Sequence, residues 1–152
     1  LKLTLKQLLK TVVLILPFFD ITHKLTLVKT NQIKGLEALA RINSDKLGPL
    51  SPGEFIPIAE ESGLIVKLSN WILREACLFN KKLIDSGISG LTISVNISSI
   101  HLNRPEFIKT ISNILEETQL PPQYLELELT ESTLVSSVMD AACLLFQLHK
   151  LG

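Results

Sequence analysis

The residues of this chain best suited to chemistry are carboxylates and amides set at a spacing of two. In Tyr124-Leu-Glu-Leu-Glu-Leu-Thr130 every second residue is apolar. Successive residues of a strand face opposite sides, so Glu126, Glu128 and Thr130 share one face and Leu125, Leu127 and Leu129 the other. In Leu91 to Ser98 the same rule sets Ile93, Val95 and Ile97 against Ser94, Asn96 and Ser98. Glu37, Leu39 and Arg41 alternate likewise with Leu36, Ala38 and Ala40. Two carboxylates and an amide carbonyl are hard oxygen donors, suited to Mg²⁺, Mn²⁺ or Ca²⁺ and unsuited to a thiolate-type zinc site. The chemistry they point to is metal-assisted attack on a phosphate ester.

Polar stripes also arise on any antiparallel sheet with one wet face, where they need no function. The elements between the stripes decide which reading applies. Leu25 to Val28 and Gln32 to Ile42 read as strands around the turn residues Lys29-Thr-Asn31, a candidate hairpin. After a loop containing Gly48 and Pro49, Ser51-Pro-Gly-Glu54 offers an N-cap serine, proline at the first helical position and a glutamate three residues after the cap, which predicts a short helix to about Ser62. Ile65 to Ser86 carries apolar residues at helical spacing between the stops Gly63 and Gly87. Strand-like Leu91 to Ser98 is then followed by helical Asn103 to Thr118, and strand-like Tyr124 to Thr130 by helical Ser136 to Leu151. Strand and helix recurring with short turns predict the α/β class, with parallel strands covered by helices. Parallel strands are normally covered on both faces, so Glu126, Glu128 and Asn96 are expected in protected space, where an unpaired carboxylate is costly and a cation relieves it. In a barrel of such units the sites lie at the carboxyl ends of the strands, near which Glu37, Asn96 and Glu128 stand.

Composition narrows the partners. With 152 residues, 46% of them hydrophobic, and 15 Lys+Arg against 15 Asp+Glu, the chain has the make-up of one ordinary domain and no general attraction for nucleic acid polymers or anionic membranes. Any anionic ligand must be held locally. Cys77 and Cys143 lie in apolar stretches, which predicts buried thiols in a reducing, cytoplasmic setting. Lys2, Lys6 and Lys10 precede the apolar run Thr11 to Phe19, but no small-residue cleavage site follows and the run falls short of the roughly 20 apolar residues that span a bilayer. His23, His101 and His149 are scattered with no neighbouring ligand at a metal spacing, so solvated or capping roles are expected. The serines lack a nearby histidine base, and no glycine-rich phosphate loop occurs. Starting at Leu1 and stopping directly after a helical pattern, the sequence is expected to be a piece of something longer.

Five blocks in order resemble the EAL domain family, the cyclic di-GMP phosphodiesterases of bacterial signalling. They are Gly35-Leu-Glu-Ala-Leu-Ala-Arg41, Phe55-Ile-Pro-Ile-Ala-Glu60 with Ser62-Gly-Leu-Ile65, Trp71-Ile-Leu-Arg-Glu-Ala-Cys77, Val95-Asn-Ile-Ser98, and Leu125-Glu-Leu-Glu-Leu-Thr-Glu-Ser132. The resemblance implies a TIM-type (β/α) barrel with an antiparallel first strand. It implies metal ligands Glu37, Asn96 and Glu128 for Mg²⁺ or Mn²⁺, substrate contacts at Leu39 and Arg41, and a loop-anchoring role for Glu131. In the family, two cations assist in-line attack of water that opens the cyclic dinucleotide.

The chain departs from the family pattern in three ways. No Asp-Asp-Phe-Gly stretch, later catalytic lysine or further glutamate occurs in it. Thr22-His-Lys-Leu25 stands where the family reads Tyr-Gln-Pro-Ile, and His101 stands where glutamine is common. A whole barrel needs roughly 250 residues. The expectation is therefore a barrel truncated before closure, with residues 1–24 a divergent or frame-shifted appendage and 25–152 a partial EAL domain. Such a chain would hold at most one cation, be inactive by itself and self-associate through its open sheet edge. A degenerate module that binds the nucleotide or a protein without catalysis is the alternative. No upstream sensor or protein partner can be named from the sequence.

Overall fold

The computed structural model describes residues 19–27, 33–44, 48–129 and 138–152. Strands β1 (Phe19–Leu27) and β2 (Ile33–Ser44) form an antiparallel pair, with Phe19 opposite Ile42 and Thr26 opposite Gly35. This is the expected hairpin, but β1 starts six residues before Leu25 and runs across the Lys24/Leu25 boundary. The alternation extends that far back, through Phe19, Ile21, Leu25 and Leu27 against Asp20, Thr22, Lys24 and Thr26. The turn residues Lys29 to Asn31 lie outside the described residues.

Gly48 and Pro49, expected in a loop, belong to a short strand β3 (Gly48–Leu50) that pairs antiparallel with the end of β2. Three residues are too few to show a period. The helix α1 (Pro52–Glu61) starts where its capping box predicts: the Glu54 carboxylate accepts from the Ser51 backbone N–H at 2.7 Å and from its hydroxyl at 2.6 Å. These bonds hold the Glu54 carboxyl below the usual carboxylate range. Gly63, at φ +70°, turns the chain into α2 (Ile65–Asp85). Strand β4 (Thr92–Ile97) leads through the four-residue helix α3 (Ser99–Leu102) to α4 (Phe107–Thr118), and strand β5 (Leu125–Leu129) precedes α5 (Val138–His149).

The five-stranded sheet runs β1-β2-β4-β5, with β3 beside β2. β4 is parallel to both neighbours: Glu37 faces Ser94 and Ala38 faces Val95, while Ser94 faces Glu126 and Asn96 faces Glu128. Gly35 permits the first of these pairings. A Cβ there would stand 2.7 Å from Thr92 Oγ1 and 3.2 Å from the Thr92 carbonyl oxygen.

The apolar side of the sheet buries Leu36, Ala38, Ile93, Val95 and Ile97 against Leu73, Ala76, Cys77 and Leu83 of α2 and Phe107, Ile111, Ile114 and Leu115 of α4. With Ile65, Ser69 and Asn80 included, the buried positions of α2 recur every three to four residues, which puts one face of that helix on the sheet. Each large side chain so buried contributes about 1.5–3 kcal/mol. The other side is open among the described residues. Asn96, Glu126 and Glu128 are exposed, contrary to the protected space expected for them. Helices cover one face only, and a second cover requires the sheet to curl upon itself.

One further expectation is corrected. Cys77 is buried and its thiol is pushed up to about 12 by desolvation, but Cys143 is exposed on α5. The apolar run holding Cys143 lies on a helix that packs one stripe and exposes the rest, with Leu145 and Phe146 both outward.

The amino ends of β4 and β5 are tied together by one buried amide. Asn80 of α2 donates from Nδ2 to the carbonyls of Leu91 at 3.1 Å and Tyr124 at 3.2 Å. Asn80→Ala leaves both acceptors without that donor in the core, and unfolding in urea should show a loss of about 2–3 kcal/mol.

Candidate metal centre

Period-two alternation and the parallel register bring the candidate donors to one face. Glu37 is half-buried on β2, Asn96 exposed on β4 and Glu128 exposed on β5. Asn96 Nδ2 donates to Glu37 Oε1 at 3.1 Å, and Glu128 is the register partner of Asn96. Neighbouring strands lie about 4.8 Å apart, so Glu128 flanks Asn96 across one strand spacing.

The donor pair fits a hard cation. Rotating the Asn96 amide by half a turn exchanges Nδ2 for Oδ1 and sets two oxygens about as far apart as the present contact. Adjacent ligands on an octahedral Mg²⁺ with 2.0–2.1 Å bonds at right angles are about 2.9 Å apart. Among the described residues no group of three or more His, Cys, Asp or Glu is placed to hold a metal ion. A centre at this face would need the Asn96 amide as its third donor.

The other candidates lie further along β2. Leu39 is half-buried and lines a cavity of about 450 Å³ between the middle of β2 and the carboxyl end of β4. Arg41, two residues on and partly buried, donates from Nη1 to the Ala40 carbonyl at 2.9 Å. The rise of a strand puts Arg41 about 13 Å from Glu37, a span longer than a single phosphate. Glu131 lies outside the described residues.

The cavity also shows what the sequence left unread. Phe55, Ile56 and Glu60 of α1, with Ser69 of α2, form its far wall, and Asn96 and Ser98 its near wall. The capping box announces α1, but nothing local says that this helix docks beside the middle of β2. Directly after Asn96 the chain turns on Ser98, whose Oγ accepts the His101 N–H at 3.3 Å. His101 is only 1% exposed, where a solvated or capping role was expected. Its ring meets Phe107 edge to face at 4.9 Å, and its Nδ1 has no hydrogen-bond partner among the described residues. Burial lowers its pKa against the opposing pull of Glu106, and Arg104 adds to the lowering. The apolar neighbours Leu102 and Phe107 are the only local sign that this histidine is core.

Parallel strands with helices packed behind one face define a segment of a TIM-type barrel. The chain belongs to the EAL domain family, whose profile matches residues 26–152. It is 36% identical over 118 residues to the bifunctional diguanylate cyclase/cyclic di-GMP phosphodiesterase MucR of Pseudomonas aeruginosa, covering 78% of this chain and 17% of that protein. It is 35% identical over 121 residues to the cyclic di-GMP phosphodiesterase NbdA of the same organism, covering 80% and 16%. The solved PaMucR phosphodiesterase in complex with c-di-GMP superposes with a TM-score of 0.85 at 32% identity, over 88% of this chain and 55% of that one. The EAL enzyme Bd1971, solved with cAMP and cyclic di-GMP bound, gives 0.80 at 27%, over 90% and 38%. The chain thus spans about a sixth of these curated relatives and about half of the solved phosphodiesterase.

His101 makes stability depend on pH in a defined direction. Its folded pKa lies below the ordinary value of about 6.5, so the unfolded chain takes up a proton first and stability is lost as pH falls through and below that value. The urea midpoint of the wild type should drop between pH 7.5 and 5.5 by more than that of His101→Gln. Equal drops would show that the ring is not held neutral by the fold.

Proposed function

We propose that this chain supplies the first part of a cyclic di-GMP phosphodiesterase site: one divalent cation position at Glu37, Asn96 and Glu128, and a ligand contact along Leu39 and Arg41. The observation that carries the reading is the 3.1 Å approach of Asn96 to Glu37 with Glu128 in register beside it. Membership of the EAL family and the c-di-GMP held by the solved PaMucR domain support it.

Each residue then has a part. Glu37 and Glu128 contribute negative charge from two strands that β4 separates, and Asn96 stands between them with a neutral oxygen. Mg²⁺ and Mn²⁺ both suit such a set, and either, when bound, supplies Lewis-acid polarisation of a phosphodiester and acidifies water. Leu39 presents an apolar surface at the cavity mouth. Arg41 offers a planar guanidinium that can pair with a phosphate through two N–H donors. The Glu131 role as a loop anchor belongs to the same proposal. A two-metal mechanism needs bridging carboxylates beyond these three ligands, so these 152 residues bind cation and nucleotide without turning the nucleotide over. Among the described residues no helix is long and apolar enough to cross a membrane, and a cytoplasmic nucleotide suits the cytoplasmic setting expected from the cysteines.

Calorimetric titration of the 152-residue chain with Mn²⁺ should detect one site, weakened about tenfold or more in Glu37→Ala and in Glu128→Ala. Arg41→Ala should weaken cyclic di-GMP binding and leave Mn²⁺ binding unchanged. Incubation with cyclic di-GMP and Mg²⁺ or Mn²⁺ should give no linear dinucleotide above a metal-only control. Hydrolysis that disappears in Glu128→Ala would overturn the non-catalytic reading.

A further inference from the structure

Pairing of β4 with β2 stops before β4 does. It runs from Thr92 to Val95, whereas the pairing with β5 continues through Asn96 and Ile97. Asn96 therefore reaches Glu37 at 3.1 Å from beyond the last residue that faces β2, and the turn that follows must hold its strand end on that side. That turn is Ser98 and the four residues of α3. The Ser98 carbonyl accepts from the backbone N–H groups of His101 at 3.1 Å and Leu102 at 3.0 Å, and Ser98 Oγ accepts from that of His101 at 3.3 Å. The His101 ring, only 1% exposed and edge to face with Phe107, fastens α3 to the core. We propose, on the reading of Glu37, Asn96 and Glu128 as cation ligands, that His101 is a positioning residue for that site, acting through Ser98 on Asn96, and that protonating its ring releases the turn and weakens cation binding.

A neutral imidazole suits this place and an imidazolium does not. Among the described residues Nδ1 is buried with no hydrogen-bond partner, and protonation puts an N–H on both ring nitrogens. The product is a buried charge with one bond unmade, which is costly. Little around it offsets that cost. β4 carries no charged residue, and neither do the buried faces of α2 and α4, whose titratable group, the Cys77 thiol, is pushed up to about 12 and stays neutral. Of the two charges that act on the ring, both between α3 and α4, Glu106 favours the proton and Arg104 opposes it. A charged ring gains water by leaving the core, and α3 is the part that can yield. Ile97 is buried in the sheet, while Ser98 and Ser99 border the cavity of about 450 Å³. A helix of four residues is a single turn with few bonds to lose. Cation and proton then oppose each other: a cation that needs Asn96 in place favours the seated, neutral ring by the same factor by which protonation weakens its binding.

Two titrations of the 152-residue chain test the coupling, over the pH range in which circular dichroism shows the fold intact. Calorimetry with Mn²⁺ should find that the wild type loses about fivefold more affinity between pH 7.5 and 5.0 than His101→Gln, each compared with its own value at pH 7.5. Protonation of the carboxylates is common to both proteins, and the glutamine is neutral throughout. In the wild type, the NMR midpoint of the His101 ring should lie lower in saturating Mg²⁺ than in EDTA, a shift that a ring with a packing role alone would not show. Parallel losses of affinity, or a midpoint that Mg²⁺ leaves in place, would overturn the positioning role while leaving the ligands assigned. Absence of Mn²⁺ and Mg²⁺ binding at pH 7.5 would remove the ligand assignment and the coupling with it. Should His101→Gln fail to fold, the wild-type NMR titration decides alone.

Discussion

Slide β4 by one residue between its neighbours and the molecule loses both its core and its candidate site. Val95 and Ile93 would turn to the open side, while Asn96 would face α2. The present register sets Glu37 beside Ser94 and Asn96 beside Glu128 because the apolar residues between them are almost wholly buried. Other features hold the same setting. Gly35 lets β2 come up against Thr92, and Asn80 grips the carbonyls at the amino ends of β4 and β5. All of these ties lie at the lower end of the sheet. The upper end, where the strands stop, is left to Asn96, Glu128 and the cavity under α1, so the parts that hold the fold and the parts suited to a ligand occupy different layers.

Much of this was legible in residue order. Alternation in Glu37 to Arg41, Leu91 to Ser98 and Tyr124 to Thr130 places the strands and sorts their faces, and the helical stretches between the later ones imply parallel pairing. The capping box at Ser51 places α1, and five blocks in sequence identify the family. What could not be read depends on contacts between distant segments. Burial of His101 follows from α3 being pressed against Phe107, a contact at which the apolar neighbours Leu102 and Phe107 only hint. Exposure of Cys143 follows from how little of α5 meets the sheet. The open face of the sheet contradicts an inference from parallel pairing that holds only where a sheet is covered twice.

The open side also changes how the candidate ligands behave. Glu128 and Asn96 face water here, so desolvation does little to raise the affinity of a cation for them, and a second layer of chain over this face would strengthen the same ligands without altering one of them. Glu37, half-buried and in contact with Asn96, is the most enclosed of the three. The buried polar groups of the fold contrast with these. Asn80 lies in the core with its Nδ2 bonded, and His101 sits there at the cost of a neutral ring. Both stand next to strand ends, so their placement bears on where β4 begins and how it is turned into α3.

The long separation between paired positions has a consequence for synthesis. β1 and β2 are neighbours along the chain and can pair as soon as both have left the ribosome, but Asn96 reaches its contact with Glu37 across 59 residues. At about 5–20 residues per second the free side of β2 waits about 3–12 s for β4 to emerge. In that interval α1 and α2, whose hydrogen bonds are local, form first, and the apolar stripe of α2 is the available cover for the waiting hairpin. The nascent chain therefore passes through a state in which a hairpin is sheltered by a helix before its parallel partner exists. Any factor that shields apolar surface during translation has that interval in which to act.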